Sequence, residues 1–514
     1  MPSSLAAALT AVSALLVVLV ARWGPDWPAQ QFRAGLAGHA SLHVWNDQWY
    51  GGHALPGYSV LYPIVSAVLG ARVTGLLAVT AAAWAAGLLL PSDEVARHRR
   101  YSIAVAAILS GSLIIGQVPF LLGVALALWA LVALSRQRTV VVWVFAAAAS
   151  LASPLAGVFL LMAVPSLAVR FSWRRALPLS AGLAGSVVAG VVGGAAGPDP
   201  YPWQSLIGVL GFSIGSLLVT TRADCMLRRF AAVYAVVGVL AFLTPNPIGG
   251  NVDRIGKLIA LPLACYLLFN GARRTKLLRG VLVAVAALLW PFVPLTSAIA
   301  QGARDPSQNA VYFTQLLSFL DSQNPTSGRL EIPFTRAHWE SARVAPHFPL
   351  ARGWERQTDL KYNSVLYEPL TPNEYLLWLR DSAVSLVALP SVPLDEGGKA
   401  EGRLLAHPPP YLRQVWSNQN WTVWTVVGGQ PLASGPASIT RLGPASFDIT
   451  FRRAGASLVR IRASNLWHVT AGTGCVDAGS QGWLEVHAPA AGMLTLRAQL
   501  NTRLLGASTD CDAD

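Results

Sequence analysis

Hydrophobic positions form long unbroken blocks through the first 300 residues of this chain and short alternating stretches after them. The blocks lie near 4–21, 59–91, 102–116, 119–134, 139–152, 155–169, 177–195, 205–220, 229–244, 257–270 and 280–299. A membrane-crossing helix needs roughly 17–25 apolar residues, so the pattern predicts about eleven transmembrane helices. Two pairs of blocks are single runs broken near Gly116-Gln117-Val118-Pro119 and Ser153-Pro154, and each reads either as two crossings or as a re-entrant pair. In 59–91, Pro63 and Gly70-Ala71-Arg72 are placed to split off a short interfacial helix. Leu5–Ala21 follows an uncharged start, without the basic segment of a signal peptide, and reads as a retained first helix.

From Gln301 the pattern changes. Residues 311–320 and 373–381 have helical spacing, while 330–333, 384–389 and 421–427 read as strands. Beyond 428, alternation over 447–451, 457–462, 483–487 and 493–498 between Gly/Pro turns favours a small β-sandwich. The expected domains are therefore 1–300 (transmembrane), 301–427 (α/β) and 428–514 (β-rich).

Charge orients this plan. Residues 1–300 carry 20 Lys/Arg against seven acids, whereas 301–514 carry 18 of each sign. A pI near 10 would ordinarily raise nucleic acid as a partner. Here 15 of the cations sit in the loops 92–101, 135–138, 170–175, 221–229 and 271–279, and the opposite loops carry only Arg22, Arg33, Arg254 and Lys257. Basic loops stay cytoplasmic. The reading is thus a multi-pass plasma (inner) membrane protein with a cytoplasmic N-terminus, an extracytoplasmic C-terminal region and no nucleic-acid partner. Cys225 and Cys265 fall at or near the cytoplasmic side as free thiols, while Cys475 and Cys511 lie where oxidation is permitted and are expected to form a disulfide. The cysteines have no metal-type spacing, and the tail lacks a nucleophile elbow or phosphate-binding glycine loop.

Four of the seven acids in the first 300 residues (Asp26, Asp47, Asp199, Asp253) map to the outer face, two of them in the loop 22–58. That loop is dense in Trp and Tyr and holds His39, His43 and His53. Trp23, Trp27, Trp45, Trp49 and Tyr50 read either as an interfacial aromatic belt or as part of a site. Gly51-Gly52 suggests close backbone approach to a ligand or to another helix.

The stretches Asp26–Gln30, Asn46–Ser59, Gly116–Gly123, Ser153–Gly157, Gly249–Arg254 and Pro349–Glu355 resemble a group of actinobacterial GT-C-like membrane proteins. More broadly, a carboxylate just after the first membrane helix resembles the GT-C superfamily of polyprenyl-phosphate-sugar glycosyltransferases. The resemblance implies a polytopic α-helical membrane domain with an extracytoplasmic C-terminal region. It also implies a hexosyl- or pentosyltransferase that moves sugar from a polyprenyl-phosphate donor to an envelope glycan or lipid acceptor. Such a donor brings a good leaving group, so the chemical need is a base for the acceptor hydroxyl.

Asp26 matches the superfamily's first-loop carboxylate and is the first candidate base, Asp47 the second, with His53 orienting or sharing the proton. Arg254 is the candidate for the departing phosphate, or else a snorkelling residue paired with Asp253. Gln30, Trp49, Tyr50, Gly51, Gly52, Gln117 and Asn251 complete the candidate substrate contacts. Some superfamily members use a divalent metal beside the carboxylate, but the spacing of Asp26, Asp47 and His53 does not specify one. Two other classes stay open: a lipid-linked glycan transporter or flippase, and a non-catalytic envelope-assembly scaffold. Almost no ionisable residue lies within the expected spans, which disfavours coupled transport.

Overall fold

The computed structural model describes residues 2–20, 24–37, 45–55, 58–89, 95–193, 197–222, 224–269, 289–293, 295–300, 302–499 and 511. The basic loop 271–279, His39, His43 and Trp23 lie outside them. The chain divides into two compact units, the first made of Met1–Gln30 and Pro56–Arg304, the second of Gln31–Leu55 and Asp305–Asp514.

Unit 1 is helical. In chain order its helices are α1 (Pro2–Val20), α2 (Trp27–Ala37, within which the division falls), α3 (Leu61–Leu69), α4 (Ala71–Leu89), α5 (Val95–Ile115), α6 (Val118–Ser135), α7 (Thr139–Ala152), α8 (Pro154–Phe171), α9 (Trp173–Ala176), α10 (Ala184–Gly193), α11 (Trp203–Val219), α12 (Cys225–Leu243) and α13 (Asp253–Phe269). Four of these, α4, α6, α8 and α12, are long and apolar enough to cross a membrane, and α1, α7 and α11 contain shorter apolar stretches. The protein is therefore a helical membrane protein with a β-rich C-terminal region.

The breaks between helices have local causes. Gly70, at φ +77°, separates α3 from α4. Ser153 is extended (φ −156°) and Pro154 takes the first turn of α8, where its missing N–H costs nothing. Helices α6 and α8 approach closely because Gly123 lacks a side chain: a Cβ there would stand 2.7 Å from that of Ala156.

Unit 2 begins with a two-stranded ribbon, β1 (Trp45–Asn46) and β2 (His53–Ala54). A four-stranded sheet follows, from β3 (Arg329–Glu331), β4 (Val384–Pro390), β5 (Leu412–Ser417) and β6 (Trp421–Val426), in the order β3-β4-β6-β5. The helix Pro372–Asp381 packs Tyr375 and Leu379 onto Val384, Val387 and Trp424 of this sheet. Thr371 and Glu374 form its capping box. The remaining strands are β7 (Ala437–Gly443), β8 (Ser446–Phe451), β9 (Gly455–Arg462), β10 (Trp467–Ala471), β11 (Cys475–Ala478), β12 (Trp483–Ala488) and β13 (Gly492–Ala498). They form the sheets β10-β13-β8-β7 and β11-β12-β9. Alternate residues Phe447, Ile449 and Phe451 share one core with Val459, Ile461, Leu484 and Val486, the period-two burial of a sandwich. Trp45 belongs to that core, edge-on to Trp467 at 5.9 Å.

Cys475 on β11 is bonded to Cys511, 36 residues later, with the Cα atoms 5.3 Å apart. Closing a loop of this length stabilises a fold typically by about 2–4 kcal/mol. Cys511→Ser should lower the melting temperature of the detergent-purified protein, and reducing agent should then have no further effect on it. A mutant that melts like the oxidised wild type would show that the bond does not form in solution.

Candidate functional site

The site begins where α5 ends. Gly116 leaves the helix at φ +97°, and a Cβ at that position would lie 2.6 Å from the Trp27 backbone nitrogen. Glycine is needed twice over, for the left-handed backbone and for the close approach. The turn 24–26 leans on this break: Gly24 N–H donates to Ile114 O at 2.9 Å and Asp26 N–H to Ile115 O at 3.1 Å. The Trp27 indole adds a bond to Leu113 O at 3.1 Å. Asp26, half-buried, is thus fixed through its backbone beside the residues that lead into Gln117.

A second loop, 246–253, faces the same problem and solves it with side chains. Asn246 Oδ1 accepts from the backbone N–H groups of Ile248 and Gly249, each at 3.0 Å. Asn251 Nδ2 donates to Asp199 Oδ2 at 2.8 Å. Asp253 opens α13, where a carboxylate suits the positive end of the helix. Its Oδ2 lies 2.7 Å from Lys257 Nζ, one turn along, and accepts from Ser205 Oγ at 3.0 Å. Arg254 is therefore not the partner of Asp253. Its guanidinium lies over the Phe120 ring, 5.5 Å from the centroid, and it makes no ion pair among the described residues.

The helix break at 115–117 and the loop 246–253 border one cavity of about 220 Å³ inside unit 1, and Asp26 is not among its lining residues. Its polar lining is Ser112, Gln117, Asn251, Asp253, Arg254 and Lys257. Its apolar lining comes from α5 (Ile108, Ile115), Phe120, Leu258 and the helical residues Pro291, Phe292 and Leu295. The lining therefore offers cations and amides together with hydrocarbon, the combination an amphiphilic anion requires. Three of the residues singled out from the sequence, Gln117, Asn251 and Arg254, meet here. Lys257, Asp253 and Ser205 were not singled out; the i,i+4 spacing of Asp253 and Lys257 at a helix start is the sequence signal for their pairing. Gln30 is buried in unit 1, its Oε1 without a hydrogen-bond partner among the described residues, and is not a lining residue.

The other candidates lie in unit 2. Asp47 is 1 % exposed; it accepts from the Trp45 indole at 2.5 Å, and its backbone N–H donates to Pro444 O at 2.7 Å. Burial pushes its carboxyl well above the usual range, opposed by that hydrogen bond and by the charge of Arg329. Trp49 is fully buried, stacked on Phe32 at 4.0 Å and on His53 at 5.8 Å. Tyr50, at φ +60°, directs its hydroxyl to Gly353 O and Glu355 O. Gly51 lies against the Trp483 ring and offers its carbonyl to Arg462 N–H at 2.7 Å, while Gly52 lies against Trp45. Burial lowers the His53 imidazole to about 4, so it is neutral at physiological pH.

The stretch 349–355 receives this loop. Leu350 N–H donates to Gln48 O at 2.9 Å, and a Cβ on Gly353 would lie 2.3 Å from Trp49. Arg352 is buried and paired with Asp359 at 2.6 Å and Glu401 at 2.7 Å, with Glu331 at 3.8 Å. One cation cannot balance three buried acids. Burial first, then the Glu401 charge, holds the Glu331 carboxyl well above its usual range.

Among the described residues, Asp26, Asp47 and His53 belong to no cluster of three close metal-ligand atoms. Among the described residues, the group of three or more His, Cys, Asp or Glu ligand atoms within 4.8 Å of one another is Asp477, His487 and Cys511. The Cys511 sulfur there is already in the disulfide.

The His53 shift predicts an acid sensitivity with a definite sign. The unfolded imidazole, near 6.5, takes its proton before the folded one, near 4. Stability from neutral His53 is thus complete above pH 6.5 and is lost as pH falls toward 4. His53→Phe keeps a stacking ring and removes the titration. Its melting temperature should therefore fall less steeply over that interval than the wild type's; an identical slope would remove His53 from the account.

Compared with known proteins, the chain matches no family model and no curated protein. It is similar to cryo-EM structures of the arabinofuranosyltransferase AftD from Mycobacteria. One covers 97 % of this chain at 14 % identity and a TM-score of 0.40. Two classes of an AftD mutant cover 96 % and 98 %, at 16 % and 14 % identity and TM-scores of 0.41. The chain spans 40–42 % of the length of those proteins, which leaves its activity to be argued from its own residues.

Proposed function

We propose that this protein is a membrane glycosyltransferase that moves a hexosyl or pentosyl group from a polyprenyl-phosphate donor to a glycan or lipid acceptor of the cell envelope. The observation that carries the reading is the cavity in unit 1, whose lining combines Arg254, Asn251 and Gln117 with Ile108, Leu258, Phe292 and Leu295. A phosphate with a hydrocarbon tail uses both surfaces. Arg254 suits the phosphate because its guanidinium donates in pairs and stays charged. Gln117 and Asn251 carry amides suited to sugar hydroxyls.

In this reading Asp26 is the general base. It takes the acceptor's proton while the anomeric carbon leaves the phosphate oxygen, a role worth typically about 10²–10⁴-fold in rate. The backbone bond from Asp26 to Ile115, itself a cavity residue, supports that assignment. Asp47 and His53 act instead as structural residues of unit 2, together with Trp49, Tyr50, Gly51 and Gly52. The proposed topology has about eleven crossings with the N-terminus cytoplasmic and unit 2 outside; the alternation of basic loops supports it.

Asp26→Asn should reduce sugar transfer, assayed with a synthetic polyprenyl-phosphate sugar, by at least about a hundredfold without changing membrane expression. Undiminished transfer would reject Asp26 as the base. Arg254→Gln should raise KM for the same donor by about tenfold or more. An unchanged KM would remove Arg254 from the phosphate site.

A further inference from the structure

Resting on that reading, we infer that Lys257 is a second phosphate-contacting cation, held in reserve by Asp253 and released to the leaving group as it gains charge. The polar lining of the cavity holds two cations and one anion: Arg254, Lys257 and Asp253. They are not equivalent. Lys257 lies 2.7 Å from the Asp253 carboxylate, whereas Arg254 makes no ion pair among the described residues. Among the described residues the resting cavity therefore presents one uncompensated cation, which matches the single negative charge of a lipid phosphodiester.

Transfer changes that charge. The acceptor oxygen forms its bond to the anomeric carbon and gives up its proton to the carboxylate base. The bond from that carbon to the phosphate oxygen breaks, and its electron pair stays on the oxygen. The phosphodiester becomes a phosphate monoester, whose charge at neutral pH is about −1.5 to −2. The new charge develops in the cavity where Lys257 and Asp253 meet.

The pair is built to part. Lys257 is a flexible point charge on a four-carbon stem, and its side chain is 29 % exposed against 7 % for Asp253. Asp253 Oδ2 keeps its hydrogen bond from Ser205 Oγ when the ammonium leaves, and its position at the start of α13 still suits a carboxylate. A cation drawn onto the phosphate only as charge develops binds the transition state better than the ground state. Such binding accelerates a reaction rather than merely tightening the complex.

The test needs no turnover. Full-length protein in detergent is titrated with a short isoprenyl phosphate and, separately, with its methyl phosphodiester, and the ratio of the two Kd values is taken. Wild type should prefer the monoester. Lys257→Met should retain diester binding while the preference falls about tenfold, and Lys257→Arg should restore it. A ratio unchanged in Lys257→Met overturns the inference while leaving the lipid-phosphate reading in place. Wild-type affinities for both lipids in Arg254→Gln would instead sink that underlying reading. Should Lys257→Met fail to fold, Asp253→Asn addresses the same pair: it frees the ammonium and should tighten diester binding about tenfold, and no tightening counts against the reserve.

Discussion

The arrangement in unit 1 depends on the chain reversing at Gly116. Without a side chain there, α5 can stop at Ile115, α6 can start at Val118, and the turn 24–26 can press against the gap. Any other residue would meet Trp27 and would also have to adopt a left-handed backbone, so the two costs fall on one atom. What this secures is placement by backbone. The turn that carries Asp26 is located by two main-chain hydrogen bonds and by the neighbouring indole.

The second organising term is the scarcity of charge in the membrane half. A carboxylate in apolar surroundings is expensive unless paired, so each acid near the cavity has a defined duty. Asp199 holds Asn251, and Asp253 holds Lys257 and Ser205. Asn251 and Lys257, which line the cavity, are both anchored by acids in this way. Arg254 differs: it rests on the Phe120 face and makes no ion pair among the described residues.

Much of the architecture was legible because burial imposes a period. Unbroken apolar runs located the helices, and Gly116 and Ser153-Pro154 marked their breaks, since both leave a backbone that cannot continue an α-helix. In unit 2, central strands such as β4, β6, β8, β12 and β13 stood out by alternation. The strands not singled out, β1, β2, β5, β7, β10 and β11, all lie at sheet edges, although two other edge strands, β3 and β9, were read. An edge strand is half exposed even on its inward face, as the burial of β5 shows, with only Leu412 fully covered, and its pattern blurs. The cavity was partly legible. Gln117, Asn251 and Arg254 could be suspected from their loops, but nothing in one dimension places residue 117 beside residue 251. Lys257 was hidden because it reads as one more cation in a loop.

The loop 45–55 carries the more general lesson. Carboxylate, imidazole, paired glycines and aromatics in a dozen residues resemble a catalytic constellation. Yet a segment entering the core of a β-rich unit needs the same residue types for another reason. Many of its buried backbone and polar groups find partners, although Asp47 Oδ2 and both His53 ring nitrogens have none among the described residues. Trp45 fills the sandwich core and holds Asp47, Tyr50 bonds to Gly353 and Glu355, Gln48 accepts from Leu350, and Gly51 accepts from Arg462. The glycines make room for Trp45 and Trp483. Residues 349–355 are the complement: Gly353 is small because Trp49 lies on it, and Arg352, clamped by Asp359 and Glu401, fixes the segment that receives the loop. The stretches 46–55 and 349–355, far apart in sequence, are thus two halves of one packing solution. The C-terminal unit is consequently not a linear segment beginning at residue 305; its core and hydrogen-bond network require residues that precede most of the membrane helices.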